Sequence, residues 1–139
     1  MNYNFNLDTR YLNGKIYRTY SKRLPKLQYI GSTIKTLDIR FCGHYSRPTN
    51  NMMSKLFGKY EDVVIELIED FPCFNRDQLC YREQYYINKC KQENGIILNV
   101  ATASALPYRL LPKQLLDWFV DKHPEHSTKV QFILLRDYE

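Results

Sequence analysis

The sequence predicts an α+β protein, because strand patterns and helix patterns occupy different parts of the chain. Two short runs rich in aromatic and β-branched residues, at about 14–20 and 27–31, are typical of strands that pair across a turn. A third run at about 62–69 carries apolar residues on both faces, which indicates a central strand. The apolar residues at 76–92 instead recur at helical spacing, which predicts a long helix.

The first two strands flank a polar, basic segment at 21–26, in which a proline marks a loop. Antiparallel pairing of these strands brings Tyr17 and Tyr29 near each other. Side chains alternate along a strand, so Tyr17 shares a face with Lys15 and Thr19. A tyrosine in such polar company is most often a surface or rim residue, and this stretch alone predicts that position for Tyr17.

Shorter patterns predict the remaining elements. Asn75, followed three residues later by Gln78, resembles a capping box at the start of the long helix. Thr33 or Thr36 can cap a helix at about 37–45. The other predictions are an extended lead-in at 1–13, a short helix at 52–60, an extended segment at 96–100, a helix at 112–122 and a final strand at 129–135.

Size and charge narrow the class of protein. With 139 residues, of which 44 % are hydrophobic, the chain is long enough for one domain with its own core. Twenty Lys and Arg against fifteen Asp and Glu give a net charge of +5, which favours a polyanionic partner such as nucleic acid. The four cysteines form no C-x-x-C pair, so we expect free thiols and no zinc site. No apolar run approaches the roughly 20 residues of a transmembrane helix, and no signal peptide is recognisable, so we expect an intracellular protein without membrane spans.

Two features of the predicted helices could carry chemistry. Glu83 interrupts the apolar stripe of the long helix, where a carboxylate must be paired, protonated or bound to metal. The alternatives are a rim position or an ion pair with Arg82 or a lysine. Arg40 and His44 lie one helical turn apart and offer a permanent cation beside a titratable imidazole. A solvated helix face explains this second pair equally well.

Two further features lie on the strands. Tyr17 and Tyr29 are phenols with an ordinary pKa of about 10, so each is a poor base at neutral pH unless a cation or metal lowers its pKa. Asn99 lies in a short apolar segment, where its side chain must find hydrogen-bond partners if it is buried. Ordinary turn chemistry is the alternative explanation for Asn99.

Taken in order along the chain, these elements resemble the GIY-YIG nuclease family. The resemblance covers residues 13–102 and departs from the family at Lys15, where glycine is usual. The matching segments are Lys15-Ile16-Tyr17 for the first motif, Tyr29-Ile30-Gly31 for the second, Arg40 with His44 for the Arg-x-x-x-His element, Glu83 for the metal-binding glutamate and Asn99 for the late asparagine.

The resemblance implies a three-stranded antiparallel sheet flanked by helices, and hydrolysis of DNA phosphodiester bonds with one divalent metal. Glu83 would hold Mg²⁺ or Mn²⁺, with water completing the metal's ligand shell. Tyr17, acidified by nearby positive charge, would act as general base on the attacking water, and His44 would accept its proton. Arg40 would bind phosphate oxygens, and Tyr29 would position the phosphate or the water. The remaining implied roles are phosphate contacts for Lys15 and Lys35, close approach of DNA at Gly31 and a fixed local geometry from Asn99.

The resemblance divides the chain into a nuclease domain at 13–102 and a C-terminal extension at 103–139, which would be a short helix and a strand. The extension would pack on the nuclease domain or mediate self-association, so a homo-oligomer is an alternative to a monomer that binds DNA. A catalytically inactive nucleic-acid-binding module of the same fold is the main alternative function. A purely structural interaction protein is a third, based only on the extension. Family members act in mobile-element homing, restriction, DNA repair and recombination, and the sequence selects none of these roles.

Overall fold

A computed structural model of the protein describes residues 7–46, 62–93, 95–97, 99 and 103–138, with only the backbone for 43–46. The predicted helix at 52–60 lies outside the described residues, as does the lead-in at 1–6. The elements in chain order are β1 (Lys15–Ser21), β2 (Leu24–Thr33), α1 (Leu37–Ser46), β3 (Val63–Asp70), α2 (Arg76–Gln92), β4 (Ile96–Ile97), α3 (Lys113–Lys122) and α4 (Ser127–Tyr138).

The four described strands form one mixed sheet in the order β3-β1-β2-β4. β1 runs antiparallel to both of its neighbours, whereas β4 runs parallel to β2 and pairs only at Leu27 and Gln28. The α+β class is therefore confirmed. The purely antiparallel, three-stranded sheet is not, because the segment after α2 adds a fourth strand to the edge of β2.

β3 lies at one edge of this sheet, so the prediction of a central strand was wrong. Its apolar run correctly indicated a strand, but the run does not determine how many neighbours the strand has. Glu66 and Leu67 are both exposed on β3. Charged side chains such as Glu66 are typical of edge strands, which they protect against pairing with other chains.

A two-residue turn joins β1 to β2, so most of the segment at 21–26, which we expected to be a loop, is strand. The Asp62 carboxylate holds this turn: it accepts hydrogen bonds from Ser21 Oγ at 2.6 Å and from the backbone N of Arg23 at 3.1 Å. Pro25 is tolerated in β2 because, among the described residues, the outer edge of that strand has no partner until β4 begins.

α2 begins at the pair of residues that the sequence indicated. The backbone N of Gln78 donates to Asn75 Oδ1 at 2.9 Å. The reciprocal bond differs from a standard capping box, because Gln78 Oε1 accepts from the backbone N of Phe74, at 2.9 Å. From this start, α2 packs its apolar stripe against one face of the sheet. The buried residues of this core are Ile16, Ile30, Phe71, Cys73, Leu79, Ile87 and Cys90.

The C-terminal segment contains two helices, α3 and α4, joined by a 3-10 turn at Pro124–His126. The strand predicted at 129–135 was therefore wrong, and so was the helix-and-strand extension. Val130 and Ile133 are both buried on α4 at a separation of three residues, which is helical spacing. An apolar run this short fits a strand or a helix, and packing against α3 decides between them. None of the described helices combines the length and apolar character needed to cross a membrane.

A second core joins the C-terminal helices to the sheet-bearing part of the chain. Leu12 contributes to it from a 3-10 turn at Thr9–Asn13, so this part of the lead-in is not extended as we expected. Arg136 of α4 strengthens the junction by donating to the carbonyl oxygen of Pro72 at 2.7 Å and by lying 3.9 Å from the centroid of the Phe71 ring. The buried residues of this second core are Leu12, Phe74, Leu111, Leu115, Leu116, Phe119, Val130 and Ile133.

Candidate active site at the open edge of strand β2

Asn99 hydrogen-bonds to the same edge of β2 that pairs with β4. The backbone N of Ile30 donates to Asn99 Oδ1 at 3.0 Å, and Asn99 Nδ2 donates to the Ile30 carbonyl oxygen at 2.6 Å. The carboxamide thus makes both hydrogen bonds that a neighbouring strand would make, and it is engaged by backbone rather than directed at a substrate. Beyond Ile30, no strand in the described part of the chain pairs with this edge.

Tyr17 lies under the open edge and is completely buried, so its predicted surface or rim position was wrong. Thr19 and Ser21 are also buried on the same face of β1, which means that this polar face is covered as well as the apolar one. Gly31 lies opposite Tyr17 in the strand register. A Cβ at Gly31 would lie 2.5 Å from Tyr17 Oη and 2.6 Å from Tyr17 Cζ. The phenol therefore fills the space above Gly31 where we expected DNA to approach.

Arg40 reaches this phenol from α1. The helix begins next to Thr36, whose Oγ1 accepts a hydrogen bond from the backbone N of Ile39 at 3.4 Å. One turn along, Arg40 Nε donates to Tyr17 Oη at 3.0 Å. Burial nevertheless raises the pKa of Tyr17 well above its usual value, and the lowering effect of Arg40 is smaller. Arg40 alone therefore does not acidify this phenol, and the acidified Tyr17 that we expected stays a prediction that depends also on the bound metal.

Glu83 approaches from the other side of the edge, on α2. Ser32 Oγ donates to Glu83 Oε1 at 2.7 Å, and the backbone N–H of Ser32 also donates to this carboxylate. Burial raises the pKa of Glu83, while the Ser32 hydrogen bond and the charge of Arg40 act in the opposite direction. The alternative pairing with Arg82 does not form, because Arg82 binds Glu69 through two hydrogen bonds of 2.7 Å.

Tyr29 belongs to the same group of side chains. Burial raises its pKa, the charge of Glu83 raises it further and the charge of Arg40 lowers it. The same two charges act on Tyr17, so the four groups lie within electrostatic range of one another. His44 follows Arg40 by one turn of α1, and its side chain lies outside the described residues. Of the five predicted catalytic residues, the four with described side chains are brought together from β1, β2, α1 and α2.

The two predicted phosphate-binding lysines flank this group. Lys15 Nζ donates to the carbonyl oxygen of Asn13 at 2.9 Å, so its ammonium is turned toward the preceding turn. Lys35 is exposed in the connection between β2 and α1, where its backbone N donates to Thr33 Oγ1 at 3.0 Å. Lys35 is the better placed of the two to meet a ligand at the open edge, because its side chain has no described hydrogen-bond partner.

The donor groups around Glu83 fit a single hard divalent cation. Mg²⁺ is commonly held by one or two carboxylates, with water and substrate phosphate completing its octahedron. Glu83 supplies one such carboxylate, which Ser32 orients through a hydrogen bond to Oε1. No cluster of three or more His, Cys, Asp or Glu side chains occurs among the described residues, so a site built on Glu83 would depend on water and phosphate for its other ligands.

Sequence reasoning missed a cavity of about 380 Å³ beside Glu83. Ser32, which directly follows the second motif, lines the cavity from β2, and Arg76 lines it from the first turn of α2. Arg76 precedes Glu83 by seven residues, which is two helical turns, so helical spacing could have placed both on one face. The lining consists of Tyr11, Ser32, Thr33, Ile34, Arg76, Leu79, Cys80, Glu83 and Ala103.

Comparisons of the chain with protein-family models, with curated proteins and with solved structures found no match. A function for the chain therefore has to be inferred from the site residues, their spacing and their geometry. That geometry combines a buried phenol, hydrogen-bonded to a guanidinium, with a half-buried carboxylate that Ser32 orients.

Proposed function

We propose that the chain is a metal-dependent endonuclease of the GIY-YIG type, which hydrolyses phosphodiester bonds in DNA. The observation that carries this proposal is the convergence of Tyr17, Tyr29, Arg40 and Glu83, from four separate elements, on one open sheet edge. A guanidinium suits phosphate oxygens and a carboxylate suits a divalent cation, so together these groups are complementary to a phosphodiester with its metal. The net charge of +5 favours the same polyanionic substrate.

In the proposed reaction, Glu83 would hold Mg²⁺ or Mn²⁺ through its carboxylate, which Ser32 orients by a hydrogen bond to Oε1. When bound, the divalent cation supplies Lewis-acid stabilisation of the phosphate and of the leaving oxygen. Arg40 keeps one N–H on Tyr17 Oη and has further N–H groups on its guanidinium to donate to phosphate oxygens. Tyr29 borders the phosphate position and orients the phosphate or the attacking water.

Tyr17 takes the proton of the attacking water in this scheme. Burial raises the pKa of Tyr17, so only a small fraction of the phenol is ionised near neutral pH. Catalysis through the phenolate therefore predicts a rate that rises with pH across the neutral range, about tenfold per unit while the phenolate is the minor form. His44 remains the predicted acceptor of the proton from Tyr17.

The test is cleavage of supercoiled plasmid by the purified protein. We expect nicked or linear product with Mg²⁺ or Mn²⁺ and protection by EDTA. Glu83→Ala should abolish cleavage, whereas Glu93→Ala should cut normally because Glu93 is exposed just beyond the end of α2. Equal cleavage by Glu83→Ala and wild type would reject the metal assignment.

One observation favours a second candidate, the inactive binding module. A buried phenol with a raised pKa is a poor base, and the same cluster of groups could hold a phosphate without hydrolysing it. This alternative predicts salt-sensitive DNA binding with no cleavage under any metal. The plasmid assay combined with a binding titration in EDTA separates the two, since only the nuclease produces cut strands.

A further inference from the structure

The cavity beside Glu83 is lined by a positively charged side chain, Arg76, that has no role in the proposed catalytic reaction. Arg76 and Glu83 line the same cavity from α2, and Ser32 lines it from β2. Arg76 is exposed, and no carboxylate in the described part of the chain lies within ion-pair distance of its guanidinium. The charge of Arg76 nevertheless acts on Glu83: it lowers the pKa of this carboxyl, although burial raises that pKa by more.

The spacing of Arg76 and Glu83 sets the size of a ligand that could reach both. Seven residues along an α-helix correspond to an axial rise of about 10 Å between the two Cα atoms. Side chains that start this far apart do not favour a direct ion pair with each other. Successive phosphates of one DNA strand rise by about 3.4 Å along the duplex axis. A strand that has its scissile phosphate at Glu83 and runs along α2 would therefore carry another phosphate near Arg76, about three nucleotides away.

The residue type suits this role. Arginine remains charged at all relevant pH values and presents a planar fork of donors that matches two phosphate oxygens. Cys80 lies between Arg76 and Glu83 on α2 and lines the same cavity without adding a negative charge, since burial raises the pKa of its thiol. The cavity thus has a cationic end at Arg76 and a metal-binding end at Glu83.

We propose that Arg76 forms a second phosphate subsite, which holds a phosphodiester group flanking the scissile one on the same DNA strand. This inference rests on the proposed nuclease function. Arg76 would secure the strand in the cavity without taking part in bond cleavage, so it is a substrate-binding residue and not a catalytic one.

The first test measures DNA binding in EDTA as a function of salt concentration. Arg76→Ala should weaken binding about equally for all sequences and reduce the slope of log K against log salt by about 1, because one phosphate contact is lost. Arg109→Ala is the matched control: Arg109 is exposed but does not line the cavity, so its slope should equal that of wild type. Arg76→Gln, which keeps most of the side-chain length, guards against a folding defect and should behave like Arg76→Ala.

The second test locates the phosphate. Once the product ends have identified the scissile bond, single phosphates around it are replaced by neutral methylphosphonates. At one position within about three nucleotides of the cut, wild type should lose affinity and Arg76→Ala should lose nothing further. Equal losses for both proteins at every position, or an unchanged salt slope in Arg76→Ala while wild type still cuts DNA, would overturn the subsite alone. A wild-type protein that neither binds nor cuts DNA would overturn the proposed function together with the subsite.

Discussion

Replacing Gly31 by alanine tests the packing on which the candidate site is built. The new Cβ would lie 2.5 Å from Tyr17 Oη and 2.6 Å from Tyr17 Cζ. Carbon atoms in good contact are about 3.5–4.0 Å apart, so the overlap is about 1 Å. Tyr17 is completely buried and cannot relieve this overlap by turning into solvent.

The size of the effect follows from two opposing terms. Overpacking of a buried site costs about 1–3 kcal/mol. Gly→Ala at a position that alanine can adopt stabilises a protein by about 0.4–1 kcal/mol through the unfolded state. The net expectation for Gly31→Ala is a loss of about 1–2 kcal/mol in the free energy of unfolding. Displacing Tyr17 also disturbs its hydrogen bond with Arg40, so cleavage should fall by about 100-fold.

The assay is urea unfolding of Gly31→Ala in two backgrounds. Tyr17→Phe removes the hydroxyl but keeps Cζ at 2.6 Å, so the cost of Gly31→Ala should persist in that background. Tyr17→Leu has no atom at the Cζ position, so there the cost should vanish and the alanine should become neutral or stabilising. The packing described here is refuted if Gly31→Ala is as stable as wild type with Tyr17 intact.

Three further predictions concern the surroundings of the site. Asn99→Asp keeps an acceptor for the backbone N of Ile30 but loses the donor to its carbonyl oxygen, so urea unfolding should show a loss of about 1–3 kcal/mol together with slower cleavage; unchanged values would mean that the edge needs no such cover. Arg136→Lys removes the planar group over Phe71 and weakens the bond to Pro72, so limited proteolysis should release α4 faster than from wild type; equal cleavage times would contradict this anchoring role. Burial raises the pKa of Tyr17 in the folded protein above its unfolded value of about 10. The stability that the protonated phenol contributes is therefore fully present below about pH 10, and the free energy of unfolding falls above that pH by about 1.4 kcal/mol per unit. Tyr17→Phe should reduce this fall in stability at alkaline pH, and an identical fall would contradict the raised pKa.

Local patterns in the sequence were sufficient to predict some of the helices and strands. The start of α2 was predictable because Asn75 and Gln78 satisfy helix-terminal backbone groups over a span of three residues. Residues 129–135 were wrongly predicted as a strand because their short apolar run fits both the strand period and the helix period. Packing against α3 decides between the two, and that packing joins residues that are distant in the sequence. Periodicity reports which residues share a face, but it does not report what covers that face.

The candidate site shows the same limit. The order of the motifs indicated which side chains to consider, but the state of Tyr17 depends on burial beneath β2, which alternation along β1 cannot reveal. The double hydrogen bond from Asn99 to Ile30 joins residues 69 positions apart, so no local pattern contains it. Arg76 was overlooked because its role depends on a cavity formed by β2 and α2 together.

The most direct test of the nuclease assignment is the single-turnover rate of Mg²⁺-dependent DNA cleavage by Glu83→Gln beside wild type. Glutamine keeps the side-chain shape and an oxygen that can accept the hydrogen bond from Ser32, but it removes the negative charge that a divalent cation requires. We expect wild type to cut and Glu83→Gln to be slower by at least about 100-fold, with both proteins equally folded. Equal rates for the two proteins, or no cleavage by wild type with either Mg²⁺ or Mn²⁺, would contradict the assignment.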